Sequence, residues 1–309
     1  MERGKLERVT RGSPCQICGK PDYCCVLDRY YWCMRVESDR PHRKGGWLHP
    51  KDADALVEPY SPPPKKTPDW KYRLKWAEVA FSAAEAGASL IHGLAAELGV
   101  SSASLTSLGV GYSDHLGGSP CWTFPERNSR GWIVGIQRRL VSPMDGRGKL
   151  CCVGSRRGLT FAPNWAAGNG PIYLVEGGTD TAAMMTMGLS AIGRPSNVGG
   201  VNILARMLRK RRDRRVVVVG ERDRKPQERV VLSSPLHDAK CPGCQLCWPG
   251  LYGMKATALE LTKRLRRHIE VMMPPCGAKD VRDWFSSAVC DPECRSACLV
   301  MGRIFSGGL

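Results

Sequence analysis

The chain has 309 residues, 42% of them apolar and 24% charged, a globular composition with room for two domains and a small module. Its 46 lysines and arginines outnumber 29 aspartates and glutamates, giving a formal net charge of +17 and pointing to an anionic partner, above all nucleic acid. No apolar run approaches the roughly 20 residues of a membrane span, and the charged N-terminus "MERGKLERVTRGS" lacks the apolar core of a secretory signal, so the expectation is a cytoplasmic, nucleoid-associated protein without a membrane partner.

Cysteine chemistry comes first along the chain. Fifteen cysteines, an odd count in a chain without a signal, suit metal ligation better than a disulfide framework. In "PCQICGKPDYCCVLDRYYWCMRV", Cys15 and Cys18 sit two residues apart on a knuckle closed by Gly19, and Cys24 and Cys33 follow. Four thiolates at such spacing predict a structural Zn²⁺ ribbon over residues 1–45. Cys25 competes for the third ligand, but neighbours in an extended segment point opposite ways, and Cys24 is preferred. Tyr31, Trp32 and Arg35, with Lys20, Arg29 and Tyr30, mix cationic and aromatic side chains as a single-stranded nucleic-acid surface does.

Residues 46–70, with "SPPPKKTPDW", read as a stiff Pro/Lys linker. Residues 71–168 open with two helical patterns, "WKYRLKWAEVAFSAAEAG" and "LIHGLAAELGV", each ending at glycine, followed by strands "CWTFPE" and "GWIVGIQRRLV" across the turn "RNSRG". Residues 169–285 then alternate strand and helix: "IYLVE", "TAAMMTMG", "SAIGRPS", "VNILARMLRKRR", "RRVVVVGERD", "GMKATALELTKRLRR", "IEVMMPP". That alternation predicts an α/β domain, a parallel sheet flanked by helices. The whole chain is thus a mixed α+β basic subdomain and a parallel-sheet domain behind a small zinc ribbon. Residues 286–309 are a Cys-containing tail.

Two of the strands end in acid. Glu176 closes "IYLVE" and is followed by Gly177, Gly178 and Asp180; Glu221 and Asp223 follow "VVVVG". Ligands of open α/β sheets collect at the carboxyl ends of strands. Glycine permits a tight turn and close approach, and Asp180 stands where a carboxylate caps a helix. Several carboxylates there repel one another unless a divalent cation joins them, and oxygen-only ligands suit Mg²⁺ or Mn²⁺. Such an ion serves phosphoryl or nucleotidyl transfer. The runs "RMLRKRRDRR" and "RDRKPQER" offer cations for phosphates.

"YLVEGGTD", then "GERD", "WPGLYGMKATALELTKRL" and "PPCGAKDVRDW", resemble the Toprim domain of bacterial- and phage-type DNA primases. The resemblance implies Glu176, Glu221 and Asp223 as Mg²⁺ ligands, with Asp180 beside them and Lys279 and Asp280 nearby. Glu221 stands where the pattern has its first Asp. The order of zinc ribbon, basic subdomain and Toprim core also resembles these primases, and "WTFPERNSRGWIVGIQRR" is similar to their basic strand pair. It implies Arg138, Arg139, Lys149 and Arg157 as grips on template and nucleoside triphosphates. The expected activity is RNA primer synthesis on single-stranded DNA. A Toprim nuclease or topoisomerase-like enzyme and a non-catalytic DNA-binding module of a mobile element are the alternatives. With no Walker A pattern in the chain, a helicase motor is expected as a separate partner.

One further motif stands apart. "CPGCQLCWPG", in a Cys-rich insertion over 224–247, sets Cys241, Cys244 and Cys247 at two-residue gaps and suggests a second zinc. His237, Cys276, Cys290, Cys294 and Cys298 are the candidates for its fourth ligand. Cys121, Cys151 and Cys152 have no ligand spacing and read as packed apolar residues.

Overall fold

Three four-stranded sheets form among the described residues, which in this computed structural model are 6–42, 45–51, 70–144, 147–226, 230 and 241–286. The chain divides into two compact units, Met1–Thr67 with Pro226–Lys240 and Pro68–Lys225 with Cys241–Leu309.

The first unit holds an antiparallel sheet of β1 (Glu7–Arg8), β2 (Cys25–Val26), β3 (Tyr30–Cys33) and β4 (Trp47–Pro50), in that order. β4 falls within the stretch expected as linker: Trp47 and Leu48 pair with Cys33 and Trp32 of β3. The buried core is Val9 with Cys15, Cys24 and Cys33. So small a core supplies little folding energy, and a bound metal is the ordinary remedy.

The second unit begins with α1 (Trp70–Gly87), α2 (Ile91–Leu98) and α3 (Ser102–Leu108). The sequence pattern gave no sign of α3, whose residues are mostly small and polar. Its stability is local: Ser101 Oγ accepts the Ser104 amide at 3.2 Å, and Gly109 ends the helix in the left-handed region. The antiparallel sheet β5 (Gly111–Ser113), β6 (Cys121–Arg127), β7 (Ile133–Met144) and β8 (Arg147–Cys151) follows, each strand pairing with the next.

The second sheet of this unit is wholly parallel. β9 (Ile172–Glu176) leads through α4 (Gly177–Thr186) to β10 (Ser190–Arg194), and α5 (Val201–Leu208) leads to β11 (Val216–Val219). Then α6 (Pro249–Leu265), β12 (Glu270–Met272) and α7 (Val281–Ser286) complete it. The spatial order is β10, β9, β11, β12. From β9 the chain therefore steps to one side for β10 and to the other for β11, and the switch of direction lies between β9 and β11.

Strand alternation explains why both faces are apolar. Tyr173, Val175, Val217 and Val219 pack with α2, α3, α4 and α7, around the fully buried Trp284. Ile172, Leu174, Val216 and Val218 pack the other way, against α5 and α6. Each such side chain, wholly buried, contributes about 1.5–3 kcal/mol.

The two glycines after β9 have separate reasons. Gly177 has φ +76° and starts the turn into α4 in a region a side chain rarely enters. Gly178 is backbone packed against a ring: a Cβ there would lie 2.5 Å from Phe124 Cδ1 on β6. Phe124 is itself buried and cannot retreat. Gly178→Ala is therefore expected to destabilise the protein by about 1–3 kcal/mol in urea or thermal unfolding. Gly170→Ala, with open space around the new methyl, is expected to be neutral within error.

Candidate active site

The zinc ribbon is a closed pocket of sulfur. Ligand atoms of Cys15, Cys18, Cys24 and Cys33 all lie within 4.8 Å of one another, and Cys25 is not in the group. Cys18 and Cys24 Sγ are 3.6 Å apart, and Cys24 and Cys33 Sγ 4.0 Å. A tetrahedral ion at about 2.3 Å from each sulfur requires edges of about 3.8 Å. The amides of Met34, Arg35 and Val36 point at the Cys24 and Cys33 sulfurs at 3.3–3.4 Å. Burial pushes the Cys24 and Cys33 thiols up, and the nearby Cys18 adds to it. Burial also raises Cys18, but the Lys20 amide and the neighbouring thiols outweigh it and leave that thiol lowered. Four sulfurs with one readily ionised thiol fit a Zn²⁺ ion, which would supply the missing positive charge.

The aromatic and basic residues of the ribbon are largely engaged within it. Arg35 pairs with Asp22 and reaches Cys18 and Cys24 Sγ at 3.9 and 3.7 Å. That makes it a brace for the sulfurs, with the side chain still partly exposed. Tyr31 donates to Gln16 at 2.9 Å and Trp32 Nε1 to the Gly45 carbonyl at 2.7 Å. Both rings remain half-buried.

At the carboxyl end of the parallel sheet, strand pairing brings the acids together. Val216, Val217 and Val218 of β11 lie beside Ile172, Tyr173 and Leu174 of β9, so Glu176 and the Glu221–Asp223 segment leave the sheet from adjacent strands at one end. The stretch after β11 is held from both sides. Arg222 N–H donates to the Lys279 carbonyl at 2.7 Å. Trp248 Nε1 donates to the Glu221 carbonyl at 2.9 Å, and Asp223 Oδ1 accepts the Gly250 amide at 2.8 Å, at the start of α6. Negative charge at a helix N-terminus is favoured.

Asp180, buried in the first turn of α4, is not a cap for its own helix. Its carboxylate accepts the Val281 amide at 3.4 Å, at the start of α7. Asp280 caps α7, accepting the Asp283 amide at 2.8 Å, while Asp283 accepts the Lys279 amide. Lys279 and Asp280 thus enter the site on a loop that α4 and the β11 segment both anchor. The Lys279 side chain itself is exposed.

The acids act on one another electrostatically. Burial pushes Glu221 up to about 8, and repulsion from Glu176, Asp180, Asp280 and Asp223 adds to it. Burial likewise raises Asp180 to about 7, with Asp280 contributing. Glu176 is raised by burial and by Asp223, against the pull of Arg194, Lys149 and Arg157. Among the described residues, ligand atoms within 4.8 Å of one another occur in two groups, both of cysteines. The carboxylates therefore interact from further apart. A buried set of acids that holds protons near neutrality fits a divalent cation by its chemistry, since oxygen ligands and uncompensated charge are both present.

Arg194 was not legible from the sequence. It ends β10 as a wholly buried cation, donating to the Val219 carbonyl at 3.0 Å and to Thr257 at 3.2 Å, and it faces Glu176 and Glu221. "SAIGRPS" reads as a strand and turn, and nothing in it marks an arginine inside the sheet; only the pairing of β10 with β9 places it there.

The implied phosphate grips separate. Lys149, exposed on β8, is the one whose charge reaches both Glu176 and Asp180. Arg139, its partner across β7 and β8, is tied to Glu97 at 2.7 Å. Arg138 is buried and donates to the Leu116 carbonyl at 2.6 Å, so it holds the β5–β6 connection and is not presented to a ligand. Arg157 braces the buried Glu126 with paired bonds of 2.8–3.1 Å and donates to the Pro195 carbonyl at 2.5 Å. Its exposed side lines a groove of about 410 Å³ with Gly199, Gly200 and Val201 at the start of α5. The run "RMLRKRRDRR" leads into β11 and so opens at the amino end of the sheet, opposite the acids. Arg214 there is buried among the carbonyls of residues 166–170.

In the Cys-rich insertion, Cys241, Cys244 and Cys247 gather, and Cys276 is not among them. His237, Cys290, Cys294 and Cys298 lie outside the described residues. No single helix among the described residues is long and apolar enough to cross a membrane.

Known structures share this architecture. The zinc-binding and RNA polymerase domains of the Aquifex aeolicus primase match 79% of this chain and 63% of that one, with a TM-score of 0.52 and 16% identity. A DnaG primase catalytic domain bound to single-stranded DNA matches over 75% of this chain and 78% of that one, with a TM-score of 0.50 and 15% identity. No protein-family model and no curated protein matches the sequence. At these identities the likeness defines the fold: the chain has the architecture of DnaG-type primase cores, a cysteine ribbon followed by an antiparallel and a parallel sheet.

The raised carboxyls make stability depend on pH with a definite sign. Asp180 and Glu221 hold protons more tightly folded than unfolded, so their contribution is complete below the ordinary carboxyl range, about pH 4, and is lost as the pH rises through about 7 and 8. Thermal unfolding without divalent metal is expected to show a midpoint that falls as the pH rises from about 4 to about 8. Glu221→Gln is expected to flatten that fall; an unchanged profile would show that Glu221 titrates normally.

Proposed function

We propose that the protein is a DnaG-like primase that joins ribonucleotides on a single-stranded DNA template at a Toprim acidic cluster. The observation that carries the reading is the pairing of β9 with β11, which gathers Glu176, Glu221 and Asp223 at the sheet's switch point within a DnaG-type fold. One structural neighbour is a catalytic domain bound to single-stranded DNA, and the net charge of +17 suits the same partner.

In this reading Glu176, Glu221 and Asp223 hold Mg²⁺ or Mn²⁺, which supplies charge stabilisation to a transferring phosphoryl group. Asp180 and Asp280 set the charge around those ligands, and Arg194 limits their mutual repulsion from below. Lys149 meets the nucleotide triphosphate, while Tyr31 and Trp32 of the ribbon offer stacking faces to template bases. The ribbon's zinc is structural. A separate helicase delivers the template, and the protein works in the cytoplasm on the nucleoid.

The test is primer synthesis. Single-stranded DNA, ribonucleotides and Mg²⁺ or Mn²⁺ are expected to give short RNA products, and Glu176→Gln to reduce them on the order of 100-fold or more. Lys149→Ala is expected to raise the KM for ribonucleotides about tenfold, the cost of one charge-assisted contact. Equal synthesis by the wild type and Glu176→Gln contradicts the proposal, and metal-dependent nicking of supercoiled DNA without RNA products favours a Toprim nuclease.

A further inference from the structure

We propose that Cys241, Cys244 and Cys247 hold a second Zn²⁺ ion, which fastens the N-terminus of α6 to the strand end that carries Glu221 and Asp223. The three sulfurs lie within 4.8 Å of one another. Cys244 and Cys247 Sγ are 3.8 Å apart, the edge of a tetrahedron whose centre lies about 2.3 Å from each sulfur. A disulfide would bring two sulfurs to about 2.05 Å, and all three cysteines are free thiols. The Cys244 amide points at Cys247 Sγ at 3.3 Å, and amides aimed at sulfur suit a thiolate better than a thiol. Cys247 is buried, with the other two half-buried, so the cluster is a site folded around its sulfurs and not a loop held open in solvent.

The geometry around the triad gives such an ion a task. Trp248 N–H donates to the Cys244 carbonyl at 2.9 Å, and Lys225 N–H donates to the Cys247 carbonyl at 2.8 Å. Trp248, the residue after Cys247, holds the Glu221 carbonyl through its indole, and Gly250 holds Asp223. Arg224 lies over the Trp248 ring, 5.7 Å from its centroid. These hydrogen bonds to the β11 segment thus come from Cys247, Trp248 and Gly250, at and directly after the end of the triad. A knuckle with two-residue gaps has no apolar core, so a metal is what sets its shape. The three thiolates leave the fourth position of the tetrahedron to a ligand outside the triad.

The inference does not depend on the primase reading, because metal is counted without DNA or nucleotides. The full chain, purified with Zn²⁺ present and then desalted, is expected to contain two zinc ions by atomic emission. Cys15→Ser with Cys18→Ser, and separately Cys244→Ser with Cys247→Ser, are each expected to lower the count to one. A wild-type count of one that vanishes with the first pair and survives the second overturns the inference. Should the second pair fail to fold, wild-type protein loaded with ¹¹³Cd²⁺ decides: two thiolate-bound cadmium resonances support the site, and a single resonance overturns it.

Discussion

Parallel pairing of β9 with β11 puts two acid-tipped strands side by side at the point where the sheet reverses its direction of growth. Everything distinctive about the site follows from that contact. The strands are apolar on both faces, so the segment leaving each strand emerges from a dry core. Carboxylates placed there lose solvation and feel one another, which is why Glu221 and Asp180 are held near neutrality instead of the usual carboxylate range. The fold spends several contacts on keeping them there: Arg194 beneath, the indole of Trp248 and the Gly250 amide at the side, and the Lys279–Asp280 loop opposite.

Much of this was legible in the sequence, and the reasons are physical. "IYLVE" and "VVVV" are short apolar runs rich in β-branched residues and flanked by glycine and charge, which suits a buried parallel strand. The first ends in Glu176 and the second is followed by Gly220 and Glu221, and the carboxyl end of such a strand is where an open sheet offers its site. The cysteine ribbon was equally plain, because ligand spacing is a local property. The ribbon sulfurs and the three of the insertion gather as their spacing suggests.

What could not be read were the properties set by neighbours distant in sequence. Arg138 and Arg157 look like surface cations, yet one is buried against Leu116 and the other neutralises Glu126, which strand pairing buries. Arg35 likewise turns inward to the sulfurs. Arg194 carries no motif, and its role appears only once β10 lies beside β9. Gly178 belongs to the same class. A glycine after an acidic strand end suggests room for a phosphate, but the space its missing side chain leaves is filled by Phe124 from the other sheet. The glycine pair thus serves a turn at Gly177 and the junction of two sheets at Gly178.

The central claim is that this buried acidic cluster exists to bind a divalent cation. Calorimetric titration of the full chain with Mn²⁺ at pH 7, in two buffers of different ionisation enthalpy, tests it directly. The account predicts binding coupled to proton release, because Glu221 must give up its proton to meet the ion, and it predicts loss of that binding in Asp223→Asn. Mn²⁺ binding that releases no protons and survives Asp223→Asn, or no binding at all, would contradict it.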